Sequence, residues 1–132
     1  YTGFENLKML SSIKGIASND QVRQSIQEVG LDPFEKKKYK KYSLGMKQRL
    51  GIAAALMEKP DIILLDEPMN ALDEVGISLV KGLILREKAR GASIVLSCHD
   101  KTVLAELSDE TYVMSDGRIV KHHVPKGPTS DE

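Results

Sequence analysis

Ile62-Ile63-Leu64-Leu65-Asp66-Glu67-Pro68 is the stretch on which the fold turns. Four consecutive apolar residues, bounded by Asp61 and by two acids, fit a strand covered on both faces, as in parallel sheets. Ligands of open parallel sheets bind outside the carboxyl ends of the strands, and Asp66 and Glu67 stand at such an end. Two adjacent carboxylates are costly to place there without a cation or a shared proton. The obvious use is magnesium, a hard cation held by one or two carboxylates and by substrate phosphates. The second acid could then orient a water for attack on a phosphate. A solvated acid pair closing a strand accounts for the same residues.

Working outward, Leu72, Val75, Leu79, Val80, Leu83 and Ile84 make a helical stripe stopped by Gly91. Ser93-Ile94-Val95-Leu96-Ser97 is then a second buried strand, and Val103, Leu104 and Leu107 mark a short helix. Thr111–Met114 and Arg118–Val120, separated by Ser115-Asp116-Gly117, predict a hairpin with an Asp-Gly turn. Upstream, Thr2-Gly3-Phe4-Glu5 and Ser18-Asn19-Asp20-Gln21 have the form of capping boxes. The first opens a core stripe of Phe4, Leu7, Leu10 and Ile13 that Gly15 can stop. The second opens a stripe of Val22, Ile26 and Val29 that ends at Gly30. A third helix starts at Ser43, carries Met46, Leu50, Ala53, Ala54 and Met57 on one face, and stops near Lys59-Pro60. The chain therefore reads as α/β: a helical segment over 1–58, strand–helix–strand–helix–hairpin over 59–121, and a polar, disordered tail over 122–132. Strands separated by helices imply parallel crossovers, yet two strands and a hairpin are too few for a well-covered sheet. The chain reads as the second half of something.

Composition narrows the function. The 132 residues carry 19 Lys+Arg and 19 Asp+Glu, a net charge of zero, which removes the global basic field of a dedicated nucleic-acid binder. Cys98 is the single cysteine, so no intrachain disulfide framework exists, which fits a reducing compartment. No apolar run approaches the roughly 20 residues that span a bilayer, and no signal-peptide layout opens the chain. The expectation is a soluble, cytoplasmic chain whose membrane role, if any, goes through a partner.

Two further elements accompany the acid pair. His99, in Leu96-Ser97-Cys98-His99-Asp100, follows the second strand and falls by the same rule on the edge that carries Asp66 and Glu67; a histidine there can hydrogen-bond a terminal phosphate. A surface histidine beside a helix cap is the plainer reading. Tyr42-Ser43-Leu44-Gly45-Met46-Lys47-Gln48-Arg49 opens the third helix. Ser43 is a good N-cap, and the free N–H groups of the first turn form an anion site that Gly45 lets a ligand approach. Many helices begin with Ser and meet no phosphate.

Together these elements resemble the ATP-binding-cassette (ABC) ATPases. Tyr42 to Gln48 stands where the family's Leu-Ser-Gly-Gly-Gln signature stands, and Lys47-Gln48-Arg49-Leu50 continues in the family manner. Ile62 to Glu67 matches the magnesium-binding strand with its catalytic glutamate, Asn70-Ala71-Leu72-Asp73 the aspartate loop, and His99 the switch histidine. Order and spacing match from roughly Phe4 to Val120, and the wording is most similar to exporter ATPases that serve a separate ABC-2 permease. The resemblance implies a partial P-loop NTPase-type fold. It also implies that Asp66 positions Mg²⁺ through water, Glu67 orients the attacking water, and His99 contacts the γ-phosphate of ATP. Asp73 would couple the two sites of a homodimer or heterodimer, and Ser43, Gly45 and Met46 would cap the nucleotide of the opposite subunit. The implied location is peripheral, on the inner face of the membrane, through an integral-membrane permease.

The chain also departs from the family pattern. Gly-x-x-x-x-Gly-Lys-Ser/Thr, whose backbone cradle and lysine grip phosphate, occurs nowhere in it, nor do the glutamine loop and adenine-stacking aromatic. The expectation is that the chain begins after them and alone binds MgATP weakly or not at all. Leu44 and Met46 occupy the usual Gly and Gln positions of the signature, which leaves the contact in trans to Ser43 and main-chain N–H groups. Lys36-Lys37-Lys38-Tyr39-Lys40-Lys41 reads as a solvated loop, and no nucleic-acid partner is expected. A permease-free ABC ATPase acting on ribosomes or nucleic acid is the alternative, and an interaction module that lost its site is a third class. His122-His123 reads as solvent-exposed, and Cys98 as a small packed apolar residue.

Overall fold

The computed structural model describes residues 1–15 and 17–124. They form two compact units, Tyr1–Ser97 and the residues from Cys98 on.

The first unit opens with α1 (Gly3–Lys14), α2 (Asn19–Glu28) and, after a 3₁₀ turn at Tyr39–Lys41, α3 (Leu44–Leu56). Both capping boxes form: Thr2 and Glu5 satisfy each other's backbone N–H, as do Ser18 and Gln21. Val22, Ile26 and Val29 are buried, as their spacing predicts. Gly30 follows at φ +80°, where a Cβ is disfavoured. The stripe of α1 differs from expectation. Leu7 and Ser11 are buried, but Leu10 and Ile13 are 51% and 81% exposed. The turn Gly3–Leu7–Ser11 faces α2 and α3, and this i, i+4, i+8 row is offset from the i, i+3 row of large apolar residues. On α3, Ile52 and Leu56 join Leu50, Ala53 and Met57 in the core, while Met46 and Ala54 are half-buried.

α3 then lies against β1 (Ile62–Asp66). After α4 (Glu74–Arg90), β2 (Ser93–Ser97) pairs with β1 in parallel, in register from Ile62↔Ser93 to Asp66↔Ser97. Ile63 and Leu65 are buried, whereas Ile62 and Leu64 are 68% and 71% exposed. The expectation of a strand covered on both faces therefore fails within the described residues: helix covers one face only, and the apolar run reports a second face without a layer of its own. Leu72 precedes α4, which Asp73 caps, and Val75 is exposed; the buried stripe is Val80, Leu83 and Ile84. Glu87 is buried on that helix. Arg86 and Arg90 approach its carboxylate at 3.3 Å, and Arg86 also meets Glu28 of α2 at 3.1 Å.

The second unit holds α5 (Lys101–Leu107) and a hairpin of β3 (Thr111–Ser115) and β4 (Arg118–His123). Asp116 and Gly117 have φ +50° and +75°, the type I′ signature predicted by the Asp-Gly pair. The register slips after Val113, which leaves Val120 as a bulge. β4 runs two residues past the expected boundary at 121. His122 stacks on Tyr112 with centroids 4.3 Å apart, and its Nε2 lies 3.6 Å from Glu110, so it belongs to the hairpin rather than to a tail. The remainder of the predicted tail, 125–132, lies outside the described residues.

Candidate functional site

The parallel register sets Asp66 beside Ser97, and that pairing organises both acids. The Ser97 hydroxyl donates to Asp66 Oδ1 and accepts from the Glu67 N–H at 3.0 Å. The same N–H also reaches the Ser97 carbonyl at 3.0 Å. One residue of β2 thus holds the carboxylate of one acid and the main chain of the next. Asp66 is exposed and Glu67 half-buried, and Pro68 and Met69 return the chain to the interior.

Glu67 sits at φ +47° and Ala71 at φ +64°, a region that costs a non-glycine residue about 1–3 kcal/mol and persists only where its surroundings impose it. The surroundings come from α3. Gln48 Nε2 donates to the Glu67 carbonyl at 2.9 Å, and the Asn70 N–H donates to the same oxygen at 3.1 Å. A Cβ on Gly45 would stand 2.9 Å from the Ala71 carbonyl oxygen, so glycine is what lets the 67–73 loop close onto the helix. At the end of that loop, Asp73 caps α4 through the Gly76 N–H at 2.8 Å and meets Arg49 Nη2 at 3.5 Å.

Ser43 caps α3, its Oγ accepting from the Met46 N–H at 3.1 Å. The Ser43 hydroxyl proton remains available to an acceptor, and the Leu44 and Gly45 amides precede the first intrahelical bond. Met46, a candidate nucleotide contact, gives its N–H to the Ser43 cap, and its side chain is half-buried. Just upstream, burial pushes the Tyr42 phenol above its ordinary range, against a weaker opposite pull from the Gly3 backbone.

His99 belongs to the second unit, exposed, two residues past the end of β2. Its neighbours form a small turn. Cys98 Sγ accepts from the Asp100 N–H at 3.4 Å, and Asp100 caps α5 by accepting from Thr102 and Val103 at 2.9 and 3.2 Å. Cys98, expected as a packed apolar residue, is half-buried and serves as a hydrogen-bond acceptor. The five lysines of 36–41 are exposed, as the solvated-loop reading has it.

Sequence reasoning missed three residues of this site. Ser97 and Gln48 act on residues 31 and 19 positions away, and Arg49 on one 24 positions away. Gln48 and Arg49 were legible as parts of a motif but carried no local signal of a partner. Ser97 becomes visible only once the strand register is known.

The ABC transporter family model matches residues 1–70. An uncharacterized ABC transporter ATP-binding protein of Bacillus subtilis, YybJ, is 51% identical over 119 residues, covering 90% of this chain and 55% of that protein. The bacitracin transport ATP-binding protein BcrA of Enterococcus faecalis is 40% identical over 121 residues, 91% of this chain and 39% of the relative. Among solved structures, the dimeric post-hydrolysis state of the ATP-binding cassette MJ0796 bound to ADP and Pi aligns with a TM-score of 0.81 at 26% identity, over 96% of this chain and 57% of that one. The chain thus spans about half the length of the relatives it matches. With the acid pair at the end of a parallel strand and the family match over more than half of its residues, the chain belongs to the ABC transporter family.

Proposed function

We propose that this chain is part of the ATP-hydrolysing subunit of an exporter that works with a separate membrane permease. The observation that carries the reading is the Ser97 contact, which fixes Asp66 and Glu67 together at the carboxyl end of β1. Phosphoryl transfer depends on positioning and charge stabilisation; this arrangement supports the first, and a magnesium ion at Asp66 would supply the second. Glu67, its main chain held from two sides, would orient the attacking water and draw off its proton. Ser43 would donate its hydroxyl proton to a phosphate oxygen of a nucleotide held by the opposing subunit, with the Leu44 and Gly45 amides beside it. Asp73 would couple the two sites, and His99 would hydrogen-bond the terminal phosphate.

The donor set at β1 fits magnesium rather than a metal held wholly by protein. Asp66 presents an exposed carboxylate with one oxygen engaged by Ser97, and no cluster of three or more His, Cys, Asp or Glu able to hold a metal occurs among the described residues. Magnesium keeps waters and phosphate oxygens in its shell, so one carboxylate is enough; when bound, it would neutralise phosphate charge. No helix of the described residues is long and apolar enough to cross a membrane. We place the chain at the inner face of the membrane, on the permease. Relatives named for bacitracin and lantibiotic transport favour an exporter over a permease-free ATPase acting on ribosomes or nucleic acid.

In the full-length subunit, Glu67→Gln should abolish turnover while ATP still drives dimer formation, read by sedimentation and phosphate release. Wild-type hydrolysis by that variant would remove Glu67 from its role.

A further inference from the structure

We infer that Gln48 and Arg49 are positioning residues that make α3 a strut, holding Glu67 and Asp73 of the same chain in place from the helix whose start caps the opposing site. This rests on the proposed roles of Ser43, Glu67 and Asp73.

The main chain of Glu67 is held completely. Its N–H is shared between the hydroxyl and the carbonyl of Ser97, and its carbonyl accepts from both Gln48 Nε2 and Asn70 N–H. Ser97 and Asn70 belong to the sheet and to the loop's own turn. Gln48 is the anchor from the helical segment, and its amide is part-buried at 2.9 Å. Without that donor, the carbonyl loses its bond from the helical segment, while the Asn70 turn contact remains. The peptide is then free to relax from φ +47° toward the ordinary region, and that rotation re-aims the Glu67 side chain.

Arg49 occupies a slot shaped for its guanidinium. Nη1 lies 3.5 Å from the Val29 carbonyl and Nη2 3.5 Å from Asp73 Oδ1. A Cβ on Gly30 would fall 2.8 Å from Nη1, and one on Gly76 would fall 2.8 Å from Nη2. Gly30 is required by its own φ of +80°, but Gly76 lies in the first turn of α4, where alanine would be the better helix former. Its missing Cβ leaves room both for the arginine and for the Asp73 carboxylate, which a Cβ would approach at 3.1 Å. Arg49 thereby ties the end of α2 to the cap of α4. With Gln48 and the Gly45–Ala71 approach, three positions in the first two turns of α3 bear on the 67–73 loop. A displacement of the Ser43 end of α3 is therefore delivered to Glu67 and Asp73 as a rigid-body push rather than absorbed by a flexible joint.

The test uses the full-length subunit. Gln48→Met keeps the volume and removes the donor. It should lower kcat about 10- to 100-fold, as small misplacements of catalytic groups do, with KM for ATP changed less than about threefold. Hydrogen exchange of a peptide covering 67–73 should quicken, while α1 and α2 stay unchanged. In the Glu67→Gln background, where turnover is already lost, Gln48→Met should still quicken exchange at 67–73. Arg49→Met should lower kcat by itself, and Arg49→Lys should recover part of the loss; Gly76→Ala is no substitute, because its Cβ would press on the Asp73 carboxylate at 3.1 Å as well as on the arginine. A kcat within twofold of wild type, or unaltered exchange at 67–73, overturns the strut. Should Glu67→Gln itself retain wild-type turnover, the functional reading fails, and the exchange measurement still decides whether α3 holds the loop.

Discussion

Replacing Gly45 by alanine sets two physical effects against each other. In a helix, glycine is worse than alanine by roughly 0.5–1 kcal/mol, so propensity alone predicts that Gly45→Ala stabilises α3. The structure predicts the opposite. The new Cβ would stand 2.9 Å from the Ala71 carbonyl oxygen, which is main chain in a residue at φ +64° and has no rotamer to escape into. Overpacking of this kind costs typically about 1–3 kcal/mol. The net expectation is a destabilisation of up to about 2.5 kcal/mol, together with a shift of the 67–73 loop. Gly82→Ala is the internal control: it lies in the interior of α4, and no atom lies within 4 Å of its added Cβ. It should gain the propensity increment undiminished, about 0.5–1 kcal/mol. Urea titration of the full-length protein, followed by far-UV circular dichroism, should move the two midpoints in opposite directions, with ATPase activity falling in Gly45→Ala and unchanged in Gly82→Ala. Equal stabilisation by both alanines, with full activity, would refute the close approach of loop and helix.

Three further outcomes follow from the same contacts. Ser97→Ala removes the group shared by Asp66 and Glu67; kcat should fall about tenfold or more, the scale of a lost charge-assisted hydrogen bond of about 1.5–3 kcal/mol, and a wild-type rate would dissociate the two acids from Ser97. Glu87→Leu leaves Arg86 and Arg90 without their buried carboxylate. Because those arginines are 46% and 29% exposed, the loss should be about 2–3 kcal/mol, below the usual 3–5 for a broken buried pair, and thermal unfolding checks it. The Tyr42 phenol is raised from 10.0 by burial. Its stabilising contribution is therefore complete below the unfolded value and is lost as pH rises through the folded one. Tyr112, raised by its hydrogen bond to Glu110, acts in the same direction, so stability should fall above about pH 10, with a shallower slope in Tyr42→Phe.

What the chain order revealed was whatever a few neighbouring residues decide. Thr2–Glu5 and Ser18–Gln21 satisfy each other's amides across one turn. Asp116-Gly117 takes the two positive φ values of a hairpin turn. The acid pair after Ile62–Leu65 lies at a strand end. Each is settled by backbone sterics and hydrogen bonds within about four residues, so the sequence alone determines it. Tertiary structure decided the rest. It turned Leu10 and Ile13 of α1 outward while burying Ser11, because which helix face is covered depends on where α2 and α3 lie. It set Ser97 beside Asp66, because register between strands thirty residues apart is a property of the assembled sheet. It brought Gln48 to Glu67 and Arg49 to Asp73, because a long polar side chain finds its partner only after the helix carrying it has docked.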